Sequence, residues 1–195
     1  MTCFVFFDVL PKNGFTEAYF SLAGGLKKSL ECILGFRSVE RFESLDTPGW
    51  FLSFSKWANE DSLINWRCQH DHRQAQICGH NLIFEDYRVR VGSLLLENTE
   101  HNTCTENSYI ISIVGPFTDM QLAVEEITKI VKIKPRIFQG LTNAKNGMIL
   151  IDADHNSALK YQNMSEYQIP GIISAIEIFR DYGMFNRSQS PNFYT

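Results

Sequence analysis

The sequence predicts an α+β fold: two ferredoxin-like βαββαβ domains in tandem, closed on each other as a barrel-like pseudo-dimer within one chain. Three observations carry this prediction. The order strand–helix–strand–strand–helix–strand is legible twice along 195 residues. A polar stretch, Glu97–Asn107 (ENTEHNTCTEN), lacks apolar periodicity and reads as a linker between the copies. Strands such as Cys3–Val9 (CFVFFDV) and Met148–Ala153 are apolar on both sides, so each sheet needs cover on both faces. Helices cover one face, and sheet against sheet covers the other. The alternative is two independent plaits, each dimerising with another chain. The expected divisions are a first domain over 1–96, the linker 97–107, a second domain over 108–185, and a polar, frayed tail over 186–195.

Each element of the first half has a local reason. After the strand Cys3–Val9, the residues Phe15, Tyr19, Leu22, Ala23, Leu26, Leu30 and Ile33 recur at helical spacing, and Gly24–Gly25 weaken that helix locally. Phe36–Leu45 and Trp50–Trp57 form a strand pair around the turn residues D-T-P-G. Asn59 is the expected cap of a second helix running to about Gln76, with Glu60 and Asp61 in its first turn. Phe84–Leu95 is a strand in which Tyr87, Val89 and Val91 alternate with Arg88 and Arg90.

The second half repeats the plan. Tyr109–Val114 is a strand, and Met120–Val131 a helix capped by Thr118 or Asp119. Pro135–Leu141 and Met148–Ala153 are strands around N-A-K-N-G, Asn156–Glu166 is helical, and Ile172–Phe179 is the last strand. The clearest echo between halves is SLINW (Ser62–Trp66) against SALKY (Ser157–Tyr161).

Composition narrows the function. The net charge of −4 offers no basic excess to displace counterions from phosphates, which argues against nucleic acid as a partner. No run reaches the roughly 18 apolar residues of a membrane span, and the N-terminus lacks the features of a secretory signal. Five cysteines at irregular spacing, without C-x-x-C, fit reduced thiols and a cytoplasmic location better than a disulfide framework or a zinc site. Fifteen Phe residues suit a large core or an apolar pocket for an aromatic ligand. There is no GxGxxG, P-loop or G-x-S-x-G, and His70-x-His72 on one helix is a poor chelate.

The segments VFFDVLPKNG, GFRSVERFESL, PGWFLSFSKW, NWRCQHDHRQAQ and FEDYRVRV resemble the antibiotic biosynthesis monooxygenase family, over residues 3–95 in order. The second half looks like a degenerate copy, standing where a second subunit stands in a dimeric α/β barrel. The resemblance implies oxidation of a small aromatic or quinol with O2, without metal, flavin or haem. It carries over a stacking Trp as Trp66, a proton-handling residue as His72, and an oxyanion-holding Arg as Arg88 or Arg90. Ser62 stands where polyketide oxidases use Asn, and His72 where they use Tyr. Ser62, Trp66 and Gln76 are expected to touch substrate. In the haem-cleaving branch the ligand His would fall on Gln76, and the first strand lacks the Asn used there, so haem cleavage is disfavoured. The rival reading is a non-catalytic module that binds a hydrophobic small molecule or another protein. Further homodimerisation of the chain is left open.

Overall fold

A computed structural model describes residues 1–95, 108–162 and 171–191. The expected linker with Cys104, and positions 163–166 of the expected helix Asn156–Glu166, lie outside the described residues. The elements are β1 (Cys3–Pro11), α1 (Thr16–Gly25), α2 (Lys27–Glu31), β2 (Phe36–Ser44), β3 (Phe51–Trp57), α3 (Glu60–Cys68), α4 (His70–Cys78), a π-helical turn (Gly79–Ile83), β4 (Phe84–Leu94), β5 (Ser108–Pro116), α5 (Phe117–Val131), β6 (Arg136–Gly140), β7 (Asn146–Ala153), α6 (His155–Gln162) and β8 (Ile172–Gly183). Hydrogen-bonded strands follow the cyclic order β1-β3-β2-β6-β7-β5-β8-β4, a closed barrel. The predicted α+β fold of tandem βαββαβ repeats is therefore the fold observed. By compactness the chain divides into two units, Met1–Val39 with Gly49–Val91 and Arg180–Thr195, and Glu40–Pro48 with Gly92–Phe179.

In the first unit, β1 pairs antiparallel with β3 over Cys3–Val9. Its odd residues face the helices: Cys3 and Val5 pack with Leu30, Trp57, Trp66 and Val91. Farther along, Val9 packs with Tyr19, Phe51, Ile83 and Phe84. The even residues Phe4, Phe6 and Asp8 point to the opposite face, where Phe6 meets Phe54 at 5.0 Å between ring centroids. Both faces are buried, as the doubly apolar strand predicts. In the second unit, Tyr109, Ile111 and Ile113 of β5 pack with Met120 and Ile127 of α5 and with Ala158 and Tyr161 of α6. Tyr161, the echo of Trp66, is thus a core residue there.

Several expectations need correction. The helix of the first crossover is split at Leu26, one residue after Gly24–Gly25, where the chain has lost its best helix formers. The second helix does not run unbroken to Gln76. It ends at Cys68 and restarts at His70, because Gln69 is extended at φ −62°, ψ 136°. Neither Thr118 nor Asp119 caps α5: the helix starts at Phe117 without a side-chain cap, and the Phe117 N–H donates to the Lys145 carbonyl at 2.7 Å. The tail is docked rather than frayed through Pro191. Met184 N donates to the Tyr87 carbonyl, Asp181 N to Gln189 Oε1, and Arg67 to the Pro191 carbonyl. The Asn59 cap stands as expected, its Oδ1 accepting from Ser62 N at 2.9 Å.

Two glycines have no substitute. Gly35 sits at φ +90°, and a Cβ there would lie 2.1 Å from Ser62 Oγ. A Cβ on Gly92 would lie 2.4 Å from the Glu177 carbonyl, so the close approach of β4 to β8 requires hydrogen at that position. No helix among the described residues is long and apolar enough to cross a membrane.

Candidate functional site

The break at Gln69 creates the site. Positions 66 and 72 of one continuous helix would point about 120° apart. With the chain turned at Gln69, the His72 ring instead lies on the Trp66 indole at 4.2 Å between centroids and 12° between planes. Trp66 in turn stacks on Trp57 of β3, at 6.5 Å and 28°. Trp57 is fixed by its own Nε1–H, which donates to Ser55 Oγ at 2.9 Å. Trp66 is 7% exposed and belongs to the core between helix and sheet.

His72 lies 3.0 Å from the Trp66 carbonyl through Nδ1, and Gln76 Nε2 lies 3.3 Å from the same nitrogen. A carbonyl only accepts, so the bond to Trp66 requires the hydrogen on Nδ1. The Gln76 amide can add an acceptor when its oxygen is turned to the ring. Among the described residues Nε2 has no hydrogen-bond partner. Burial pushes the His72 pKa down to about 4; the Arg67 charge pushes the same way, and the bond to the Trp66 carbonyl opposes both. An ordinary imidazole titrates near 6.5. The ring is instead neutral there, an acceptor and only a weak base.

The other expected residues do not converge on this stack. The Ser62 hydroxyl donates to Asn59 Oδ1 at 2.8 Å, which commits it to the helix cap. Arg88 holds Asp181 with two parallel bonds, Nε to Oδ1 at 2.9 Å and a terminal nitrogen to Oδ2 at 2.6 Å, at an exposed position. Arg90 is 1% exposed and donates to Asp8 Oδ2 at 2.8 Å. Val89 and Val91 share the helix-side cluster with Trp66, so strand alternation turns Arg90 to the opposite face, beside Phe6. The expected trio of a stacking Trp, a His and an Arg on one ligand is therefore not assembled. Trp66, His72 and Gln76 are brought together; Arg88 and Arg90 are not.

The sequence reading missed Asp8 and Gln69. Asp8 had a signal, since a lone carboxylate inside CFVFFDV must find a cation when buried. The Glu40 carboxylate of β2 accepts from Asn146 Nδ2 at 2.7 Å. Elsewhere, burial and the Glu60 carboxylate push the Cys3 thiol up, and hydrogen bonds from Ser29 and then Gln69 hold Asp71 below its ordinary value. Among the described residues no three His, Cys, Asp or Glu side chains come together as a metal cluster. Cys3, Cys32, Cys68 and Cys78 are free thiols.

Comparison with known proteins adds to this geometry. Residues 4–76 match the family model described as Antibiotic biosynthesis monooxygenase, which bears out the resemblance drawn from the sequence. The chain is 27% identical over 214 residues to "Jasmonate monooxygenase ABM" of Pyricularia oryzae, covering 97% of each. Among solved structures, Rv0793 from Mycobacterium tuberculosis covers 51% of this chain and 100% of its own at 19% identity and TM-score 0.45. An anthrone oxidase-like protein covers 98% of this chain and 97% of its own at 11% identity and TM-score 0.40.

Proposed function

We propose that this chain, whose residues 4–76 carry an antibiotic biosynthesis monooxygenase domain, is a monooxygenase that oxidises a small aromatic or quinol-type molecule with O2. The observation that carries the activity is the match to a protein named a monooxygenase over 97% of both chains. The substrate class follows from electron balance. An anthrone can supply all four electrons that O2 needs, its CH2 becoming C=O with release of one water. Such a substrate asks the protein for a dry site, orientation and help with one proton.

His72 is the residue for that help. It is neutral at pH 7 and stacked on Trp66, and its Nε2 can accept a hydrogen bond from a phenolic hydroxyl. A base near 4 facing a phenol near 10 makes full transfer cost about 8 kcal/mol. His72 therefore orients and polarises the O–H, and the proton leaves fully as O2 takes electrons from the substrate.

The name of the fungal relative suggests a second substrate, jasmonate. Hydroxylating a saturated carbon consumes two electrons that the substrate does not give, so that reaction needs an added reductant. The test is oxygen uptake with anthrone, with hydroquinones, and with jasmonate in the presence and absence of NADPH. Uptake with anthrone at one O2 per substrate, lost in His72→Phe, is the expected result. No uptake with any of these overturns the proposal. The commitment of Ser62, Arg88 and Arg90 to protein partners favours one rival, a module that only binds a hydrophobic small molecule. Retention of an added anthrone in native mass spectrometry without turnover would decide for it.

A further inference from the structure

We propose that Gln69 is the positioning residue of this site: by ending one helix and capping the next, it lets the Trp66 carbonyl hold His72 as its Nδ1–H tautomer, leaving Nε2 as the acceptor for a substrate hydroxyl. The catalytic consequence rests on the monooxygenase reading above; the tautomer does not.

Gln69 acts through its backbone and its side chain. Its N–H donates to the Trp66 carbonyl at 3.2 Å, closing α3 with a short final turn. Its backbone then turns extended, and its Oε1 accepts from His72 N at 2.8 Å, capping the next helix. Its own carbonyl accepts from Arg73 N at 2.9 Å, the first backbone bond of α4. Its Nε2 donates to Asp71 Oδ2 at 3.2 Å. That same carboxylate oxygen receives Ser29 Oγ–H at 2.7 Å, which ties the first turn of α4 to α2. The start of the helix that carries His72 is thus held from two sides.

The helix end supplies the acceptor. Inside a continuous helix the Trp66 carbonyl would be taken by the N–H four residues on. At the break it is left with a lone pair to spare, and His72 Nδ1 reaches it at 3.0 Å. Because a carbonyl cannot donate, one tautomer alone makes this bond. A neutral ring protonated at Nδ1 carries a bare Nε2, the atom that a substrate O–H needs.

The experiment is long-range 1H–15N correlation on the full chain labelled in histidine, with anthrone turnover followed in parallel. Wild type at pH 7 is expected to show Nδ1 protonated and Nε2 bare at His72. Gln69→Ala is expected to average the two nitrogen shifts and to lower kcat about tenfold or more, with KM little changed. Gln69→Asp, which returns an oxygen to the cap, is expected to restore the fixed tautomer. A wild-type ring protonated at Nε2, or Gln69→Ala with the Nδ1–H tautomer still fixed, overturns the proposal. If Gln69→Ala does not fold, a folded Gln69→Asp decides: a fixed tautomer supports the proposal and averaged shifts overturn it. A fixed tautomer in a protein that takes up no oxygen supports the positioning role and removes the monooxygenase reading alone.

Discussion

The His72 imidazole lies flat on the Trp66 indole, with centroids 4.2 Å apart and planes 12° apart, although the two residues belong to different helices. This contact gives stability a pH dependence. The folded pKa, about 4, is below the ordinary 6.5, so the unfolded chain binds the proton more readily. The stabilisation from the neutral ring is full above about pH 6.5 and is lost as pH falls toward 4, by up to ~3 kcal/mol. Urea unfolding between pH 7 and 4.5 measures it. His72→Phe keeps an aromatic ring on Trp66 and should lose that share of the slope; an unchanged slope would mean that His72 titrates normally.

The buried pair Asp8–Arg90, at 2.8 Å, should behave asymmetrically. Asp8→Asn or Arg90→Met alone leaves one charge without its main partner in a nearly solvent-free place and should cost about 3–5 kcal/mol. Asp8→Asn combined with Arg90→Met should cost less than the sum. Chemical denaturation of the three variants provides the double-mutant cycle, and strict additivity would show that the two side chains do not depend on each other.

Gly35→Ala should destabilise by about 2–4 kcal/mol, since it adds a methyl against Ser62 Oγ at a backbone angle that disfavours side chains. Ser62→Ala in the same chain should return part of the loss by removing the nearest atom. Thermal melts of the single and double variants measure this. No recovery would show that backbone strain, and not the contact, dominates.

The docked tail should be worth a modest amount. Arg67 donates to the Tyr182 hydroxyl at 2.7 Å and to the Pro191 carbonyl at 3.2 Å, and Arg187 donates to the Tyr87 hydroxyl. Removing residues 186–195 deletes two of these three bonds at partly exposed positions and should cost about 1–2 kcal/mol. A melting temperature unchanged on truncation would show that the tail adds nothing.

Much of the architecture was legible because it is written in apolar periodicity. The alternation in Phe84–Leu95 and the doubly apolar Cys3–Val9 each specify which neighbours a strand must have, and both strands are placed as expected. The cap at Asn59 was legible because asparagine is a preferred cap residue. The break at Gln69 was not, because glutamine is not one, and nothing in CQHDHRQAQ interrupts a helical pattern. The site suffered most from this, since the relation of His72 to Trp66 depends on the break. The arginine partners failed for a different reason. Alternation placed Arg88 and Arg90 on one face, but their anions, Asp8 and Asp181, lie 82 and 93 positions away in the chain, and pairing at that separation has no local signal.

A ring of paired strands has no free edge for a foreign strand to extend. That protection depends on both repeats, because β2 bonds to β6 and β8 lies beside β4 in the cycle. Expressing the first repeat alone would bare the outer backbone of β2 and β4, two ready templates for self-association. The isolated piece should therefore be recovered as a dimer or as aggregate.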